Sequence, residues 1–350
     1  EGNGFDPGQF TREPFMIVTL PEWNTLYSFR VTAMNTGGLS MPGETLSVCL
    51  LPGEQKPVLV VNAFDRVCAP AFFDKGDMAG IAWWEDEGVS HVRNLSYSGS
   101  QYDFSRNSQW LNDDSQGWGA SNADAETWPV AGNTFSFPEI HGKALLNAGY
   151  SFVSVSDEVF EKPDFNVDGY LAVDLIFGEE RGTQAYGKHG EKDYRLFTPA
   201  MMDAISRVTR KGGNLFLSGA YIGTDMVENK DSVAIRFASD VLHFTWRTHH
   251  ASAEGMVYAT NQAEEIFPET LQFNTAYQSS GYRVESPDAI EPSGKDAYRI
   301  YRYSSGYRSA GIVSKEAYRI VALGFPFEAL QTDEQRTALI MAIMNYFKTE

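Results

Sequence analysis

Val58-Leu59-Val60-Val61 is the stretch on which the reading of this chain depends. Four apolar, mostly β-branched residues run without alternation, the signature of a strand buried on both faces of a parallel sheet. The polar, proline-bracketed stretch Leu51-Pro52-Gly53-Glu54-Gln55-Lys56-Pro57 precedes it, so residues 52–57 read as a linker. Downstream the same signature recurs at Ser151-Phe152-Val153-Ser154-Val155, Leu171 to Phe177, Asn214-Leu215-Phe216-Leu217-Ser218 and Arg319-Ile320-Val321-Ala322-Leu323. Helical patterns fall between these runs: Glu139 to Ala148, Pro199 to Arg210 with Thr198 as N-cap and Gly212-Gly213 as its stop, Ser232 to Leu242, and Thr332 to Phe347. Strand and helix in alternation predict a doubly wound, mainly parallel α/β sheet over residues 58–350, with Val58–Val61 central and any ligand site at the carboxyl ends of the strands.

Working outward toward the start, residues 14–50 read as strands. Phe15-Met16-Ile17-Val18 is a short apolar run, Leu26 to Ala33 alternates at period 2, Asn35-Thr36-Gly37-Gly38 marks a hairpin, and Glu44 to Leu51 returns. The string Leu20-Pro21-Glu22-Trp23-Asn24-Thr25-Leu26-Tyr27, running on to Asn35 and Gly38-Leu39-Ser40, resembles the second half of a fibronectin type III module. The resemblance implies that Tyr27 makes the corner contact and that residues 1–51 are a partial module of about three strands. A half-sandwich exposes its inner face, so these strands are expected to pack on the α/β domain.

The 350 residues carry 28 Lys plus Arg against 46 Asp plus Glu, for a net charge of −18. Long-range repulsion therefore argues against nucleic acid as a partner. No apolar run reaches the ~20 residues a membrane-spanning helix needs. Glu1 is not followed by a basic and then apolar leader, so no signal peptide is expected at this start. Cys49 and Cys68 lack zinc-site spacing; they are either a disulfide or two separate thiols. With 17 Tyr, 7 Trp and 23 Phe beside few cations, the composition leans toward an extracytoplasmic, sugar-exposed protein.

Two segments break the alternation. Residues 71–136 hold Trp83, Trp84, Trp110, Trp118 and Trp128 among Asn, Asp, Ser and Gly; an excursion of that length right after the first strand is either a sugar-binding ligand wall over the sheet's carboxyl edge or a loop whose tryptophans form a small core of its own. Residues 253–315, with Tyr298-Arg299-Ile300-Tyr301-Arg302-Tyr303, read as a β-rich extension of the sheet whose Arg/Tyr face is either solvated or suited to an acidic ligand.

Several residues are candidates for chemistry. His141 follows the aromatic excursion near a helix start; it is either a structural His bonding the loop backbone or an imidazole suited to acid or base work at neutral pH. Strand topology adds Asn62 and Asp65 after the first strand, Ser156, Asp157 and Glu158 after the second, Glu179 and Glu180 after the third, and Asp225 beyond the Ser218 turn. Paired carboxylates there would suit glycosidase chemistry. Asp113 and Asp114, with Asn112, Ser115, Asp124 and Glu126, form an oxygen-rich cluster that is either a solvated acidic loop or a site for a hard cation such as calcium; no other cofactor is expected. Asp164-Phe165-Asn166-Val167-Asp168-Gly169 imitates half an EF-hand loop, but Leu175 stands where the closing Glu belongs, so it reads as a turn.

The flow from Asp168-Gly169-Tyr170 through the Thr198-Pro199 helix and Gly212-Gly213-Asn214-Leu215 to Ser218-Gly219, and the ending Leu323-Gly324-Phe325-Pro326-Phe327-Glu328 with Arg336, resembles class I glutamine amidotransferases and their flavodoxin-like sheet. At the elbow, however, Ala220 and Tyr221 stand where those enzymes need Cys. A Gly-x-Ser-x-Gly elbow fails as well, since Phe216 replaces the first Gly; Ser218 is either a nucleophile or a turn serine. Val61 to Val67, the Asp113-Asp114 to Ser121 loop, Ala131 to Gly142 and Ala148 to Ser154 together resemble secreted Bacteroidetes proteins that go under the names xanthan lyase and cell-wall amidase. That resemblance implies a secreted, periplasmic or surface protein directed at polysaccharide or peptidoglycan, cleaving it as a lyase or hydrolase. The alternative is a non-catalytic binding or scaffold module that has lost the amidotransferase nucleophile.

Overall fold

The computed structural model describes residues 5–40, 43–53, 55–64, 72–81, 100–123, 137–184, 192–276 and 282–349. One sheet of eleven strands organises them. In chain order these are β1 (Tyr27–Phe29), β2 (Leu46–Cys49), β3 (Val58–Asn62), β4 (Phe152–Ser156), β5 (Ala172–Gly178), β6 (Asn214–Gly219), β7 (Met256–Ala259), β8 (Thr270–Gln272), β9 (Ala297–Tyr303), β10 (Ser309–Lys315) and β11 (Arg319–Leu323). They lie side by side as β1-β2-β4-β3-β5-β6-β11-β10-β9-β7-β8. The block β4-β3-β5-β6-β11 is parallel throughout. Taken alone in chain order, its strands have the spatial order 2-1-3-4-5.

Both flanks are antiparallel. The sheet is therefore mixed, which corrects the mainly parallel expectation. The reason is local: the Tyr/Arg-rich segment folds into meandering strands that hydrogen-bond onto the free edge of β11, and β2 does the same at β4. At that N-terminal edge the backbone N–H of Glu22 donates to the Tyr27 hydroxyl at 3.2 Å.

The helices are α1 (Phe137–Asn147), α2 (Asp157–Phe160), α3 (Pro199–Arg210), α4 (Thr224–Glu228), α5 (Ser232–Asp240) and α6 (Asp333–Lys348). Their ends follow the sequence signals. Thr198 Oγ1 accepts from the Met201 N–H, Thr332 Oγ1 from Gln335 and the Asp231 carboxylate from Val233 and Ala234. Gly212, at φ 73°, ends α3.

Helices α1 and α6 cover one face of the sheet, meeting Val58, Val60, Ile176, Phe216, Val321 and Leu323. Helices α2 to α5 cover the other, against Leu59, Val61, Val173, Leu175, Leu215 and Leu217. Period-2 alternation along each strand produces the two cores. It also puts Asp174, between Val173 and Leu175, on the α1 face.

Helix α1 approaches the sheet closely enough that a Cβ at Gly142 would fall 2.0 Å from the tip of the Phe152 ring, which is wholly buried. Gly142→Ala is therefore expected to destabilise by about 1–2 kcal/mol despite alanine's better helix propensity, because overpacking outweighs the ~1 kcal/mol propensity gain. Denaturant unfolding of the variant checks this; a stabilised protein would show that the ring can move aside.

Candidate functional site

Register fixes what the carboxyl edge presents. Asn62, Ile176 and Ser218 lie in one row across β3, β5 and β6, with Ser156 beside Asn62 and Leu323 beside Ser218. Asn62 is completely buried; its amide donates to the Glu44 carboxylate at 2.8 Å, and its carbonyl oxygen has no partner among the described residues. Ser218 is equally buried, and its Oγ accepts from the Phe327 N–H at 3.3 Å. Glu179 is buried and accepts from the Glu285 N–H at 3.0 Å; Glu180 is buried beside it. Asp157 opens α2 half-buried and Glu158 is exposed there. Asp65 lies outside the described residues. The row therefore holds polar groups, but each bonded one contacts the protein itself.

His141 sits below this edge, wholly buried. Its Nδ1 is 2.7 Å from Asp174 Oδ2 and its Nε2 3.3 Å from Glu328 Oε2, while the Tyr282 hydroxyl donates to Glu328 Oε1 at 2.6 Å. The imidazole also packs 4.5 Å from the Phe327 ring, centroid to centroid. Burial alone would lower the His141 pKa, but the Asp174 and Glu328 carboxylates outweigh it and push it up to about 9. Burial raises the Asp174 carboxyl, opposed by His141, and takes the Tyr282 hydroxyl well above its usual range. The group is a hydrogen-bonded clamp joining α1, β5 and the loop after β11.

His141 and Ser218 are legible in the sequence as candidates, whereas Asp174, Glu328 and Tyr282 are not marked there as partners. A signal existed: one Asp inside the apolar run of β5 must be paired if it is buried. His141 and Ser218 are neighbours through Phe327 and Glu328, and no hydrogen bond joins them.

The segment following β6 is closed in a second way. Asp288, fully buried, accepts from the N–H groups of Gly223 and Thr224 at 2.7 and 2.8 Å, from the Thr224 hydroxyl at 2.5 Å and from the Trp246 indole at 3.2 Å. Burial pushes its carboxyl up to about 7 against the pull of these donors. Asp225 is spent similarly, accepting from Gly182 and Asn229. The segment resembling half an EF-hand is a turn, as expected: Asp168 pairs with Lys211 at 2.7 Å and its carbonyl accepts from Lys56. Among the described residues no three His, Cys, Asp or Glu side chains are grouped as a metal site, and no helix is long and apolar enough to cross a membrane. Cys49 is a buried free thiol, raised by burial; Cys68 lies outside the described residues.

The aromatic excursion presents a different surface. Two short hairpins carry it, one formed by Phe72–Lys75 and Met78–Ile81, the other turning at Asn112–Ser115. In the second, the Trp118 N–H donates to the Ser108 carbonyl and Leu111 to Ser115, which brings Trp110 and Trp118 onto opposite arms. Gly117, at φ 85°, lets the arms close, since a Cβ there would strike the backbone at Gln109 and Trp110.

On this hairpin Trp110 is 64% exposed and Trp118 is 48% exposed. The Trp118 indole is anchored by donating to the Ala79 carbonyl at 2.7 Å, and Arg106 lies 4.9 Å over its ring. Asp113 and Asp114 are exposed at the tip, where the Asp114 N–H donates to Asn112 Oδ1. Trp83, Trp84, Trp128, Asp124 and Glu126 lie outside the described residues.

No protein-family model and no curated protein matches the chain. Among solved structures, a glutamine amidotransferase from Thermotoga maritima is 13% identical, covering 84% of this chain and 99% of its own, with a TM-score of 0.38. A structure described as a GMP synthase subunit from Thermoplasma acidophilum is 12% identical over 60% of this chain and 88% of its own, TM-score 0.37. One described as the mmIFT52 N-terminal domain is 11% identical over 59% and 88%, TM-score 0.39. The neighbours thus include amidotransferase-like folds.

Proposed function

We propose that this chain is a non-catalytic, glycan-directed binding module of a secreted or envelope-associated protein. Its parallel block, with the 2-1-3-4-5 strand order, is taken as a doubly wound, flavodoxin-like scaffold. The observation that carries the reading is a contrast in exposure. Trp110 and Trp118 stand open on a hairpin, whereas His141, Ser218 and Glu179 are buried and bonded into the fold. Flat indole faces suit the C–H surfaces of sugar rings, and an anchored ring loses little entropy on binding. A group sealed among protein partners cannot reach a glycosidic bond.

Titration with bacterial and plant polysaccharides, followed by tryptophan fluorescence, tests the reading. Binding is expected, with Trp110→Ala weakening it by about 2 kcal/mol, or roughly thirty-fold, as for an aromatic anchor. No reducing ends and no ammonia from glutamine should appear above background. A response unchanged in the Trp110→Ala, Trp118→Ala double variant would overturn the site, and glycan turnover by the parent protein would restore the catalytic alternative.

A further inference from the structure

The charge around the two indoles bears on which glycan they take, an inference that rests on the reading of the hairpin as a glycan platform. The described part of the excursion, residues 72–81 and 100–123, carries the carboxylates Asp74, Asp77, Asp103, Asp113 and Asp114 against the cations Lys75 and Arg106. Arg106 is ion-paired with Asp74 at 2.6 Å while it covers the Trp118 ring. Lys75 lies over the Phe73 ring at 5.9 Å. Asp113 and Asp114 stand at the exposed turn between the two indole-bearing arms, with no cation paired to them among the described residues.

The turn that joins the two indole-bearing arms carries Asp113 and Asp114, and exposed charges act over about one Debye length, ~10 Å at 0.1 M salt, so a ligand lying along the indoles is expected to feel both carboxylates. The net charge of −18 adds repulsion of the same sign during approach. We propose that the platform selects neutral, hydroxyl-bearing polysaccharide and rejects chains that carry uronate or other acidic groups. Such selection works by a repulsive element beside a stacking surface that would otherwise accept either chain, since a sugar's C–H face changes little when a remote hydroxymethyl is oxidised or carboxymethylated.

The test uses matched probes differing only in charge, a panel of neutral polysaccharides and their carboxymethyl derivatives, titrated in chelator so that no divalent cation bridges carboxylates. The neutral form is expected to bind at least five-fold more tightly at 20 mM salt, with the gap shrinking at 0.5 M salt. The Asp113→Asn, Asp114→Asn double variant should bind the carboxymethyl form at least three-fold more tightly than the parent does, with an unchanged thermal midpoint as the folding control. Equal or tighter binding of the charged form through Trp110, or a gap that the double variant leaves intact, overturns the selection and leaves the platform standing. Silence toward every neutral and charged probe overturns the platform and the selection together.

Discussion

Replacing Asp288 by alanine is expected to remove about 3–5 kcal/mol of stability, a substantial fraction of a typical domain's total. The reason is the asymmetry of hydrogen bonding in a buried place. Each donor left without an acceptor there costs ~1–3 kcal/mol. Asp288 serves two backbone N–H groups, one hydroxyl and one indole. The costs do not add in full, because the Thr224 hydroxyl also accepts from Trp246 at 3.0 Å and keeps one contact. The carboxylate's own burial, visible in its pKa of about 7, offsets a further part. Asp288→Asn keeps one acceptor and turns the other into a donor facing donors, so its loss should be intermediate, about 1–2 kcal/mol. Urea unfolding of both variants checks the order. An alanine variant within ~0.5 kcal/mol of the parent would mean that water replaces the carboxylate at no cost.

The same residue marks where sequence reading stops. The parallel block was legible because a strand buried on both faces leaves an uninterrupted apolar run, and β3, β5, β6 and β11 all lie within a residue or two of the runs that announce them. Helix α3 was equally plain, since Thr198, Pro199 and Gly212 each act on the backbone within one turn of the chain. Asp288 reaches Gly223 and Thr224 across more than sixty residues, and no local pattern encodes that. Glu328 meets His141 across a still longer span.

Sequence marks the excursion by its tryptophans, and of these Trp110 and Trp118 are exposed. Which rings would be open depended on the Ser108 and Leu111 pairings of a hairpin that has no period of its own. The mixed character of the sheet was hidden for a related reason: β9 and β10 carry period-2 and apolar patterns that state strand, and pattern alone does not state the direction of a neighbour.

Stability is expected to fall as pH rises from about 4 to 9, and His141 is expected to carry the upper half of that fall. Its pKa is raised from 6.5 to about 9, so the fold favours the protonated ring. That contribution is complete below 6.5 and is lost as pH rises through about 9; a shift of this size corresponds to on the order of 3 kcal/mol. Asp288 has the same sign in a lower window, complete below 3.8 and lost through about 7, and burial gives Asp174 the same direction. Asp231 and Asp333 act oppositely: hydrogen bonds and cations outweigh burial and hold them below 3.8, so their contributions are lost only in stronger acid.

His141→Gln should flatten the profile above pH 6.5. It should also cost about 3–5 kcal/mol at pH 6, because it leaves Asp174 and Glu328 as buried carboxylates without the cation between them. Should that variant fail to fold, the parent still decides the matter, since NMR titration of the His141 ring must give a midpoint well above 6.5. A midpoint at or below that value, or a parent stability flat from pH 6.5 to 9, would refute the clamp. If the imidazolium is what ties α1 to β5 and to the loop at Phe327–Glu328, the first amides to lose exchange protection at pH 9 should be those of α1 around His141, while those of α3 on the opposite face keep theirs.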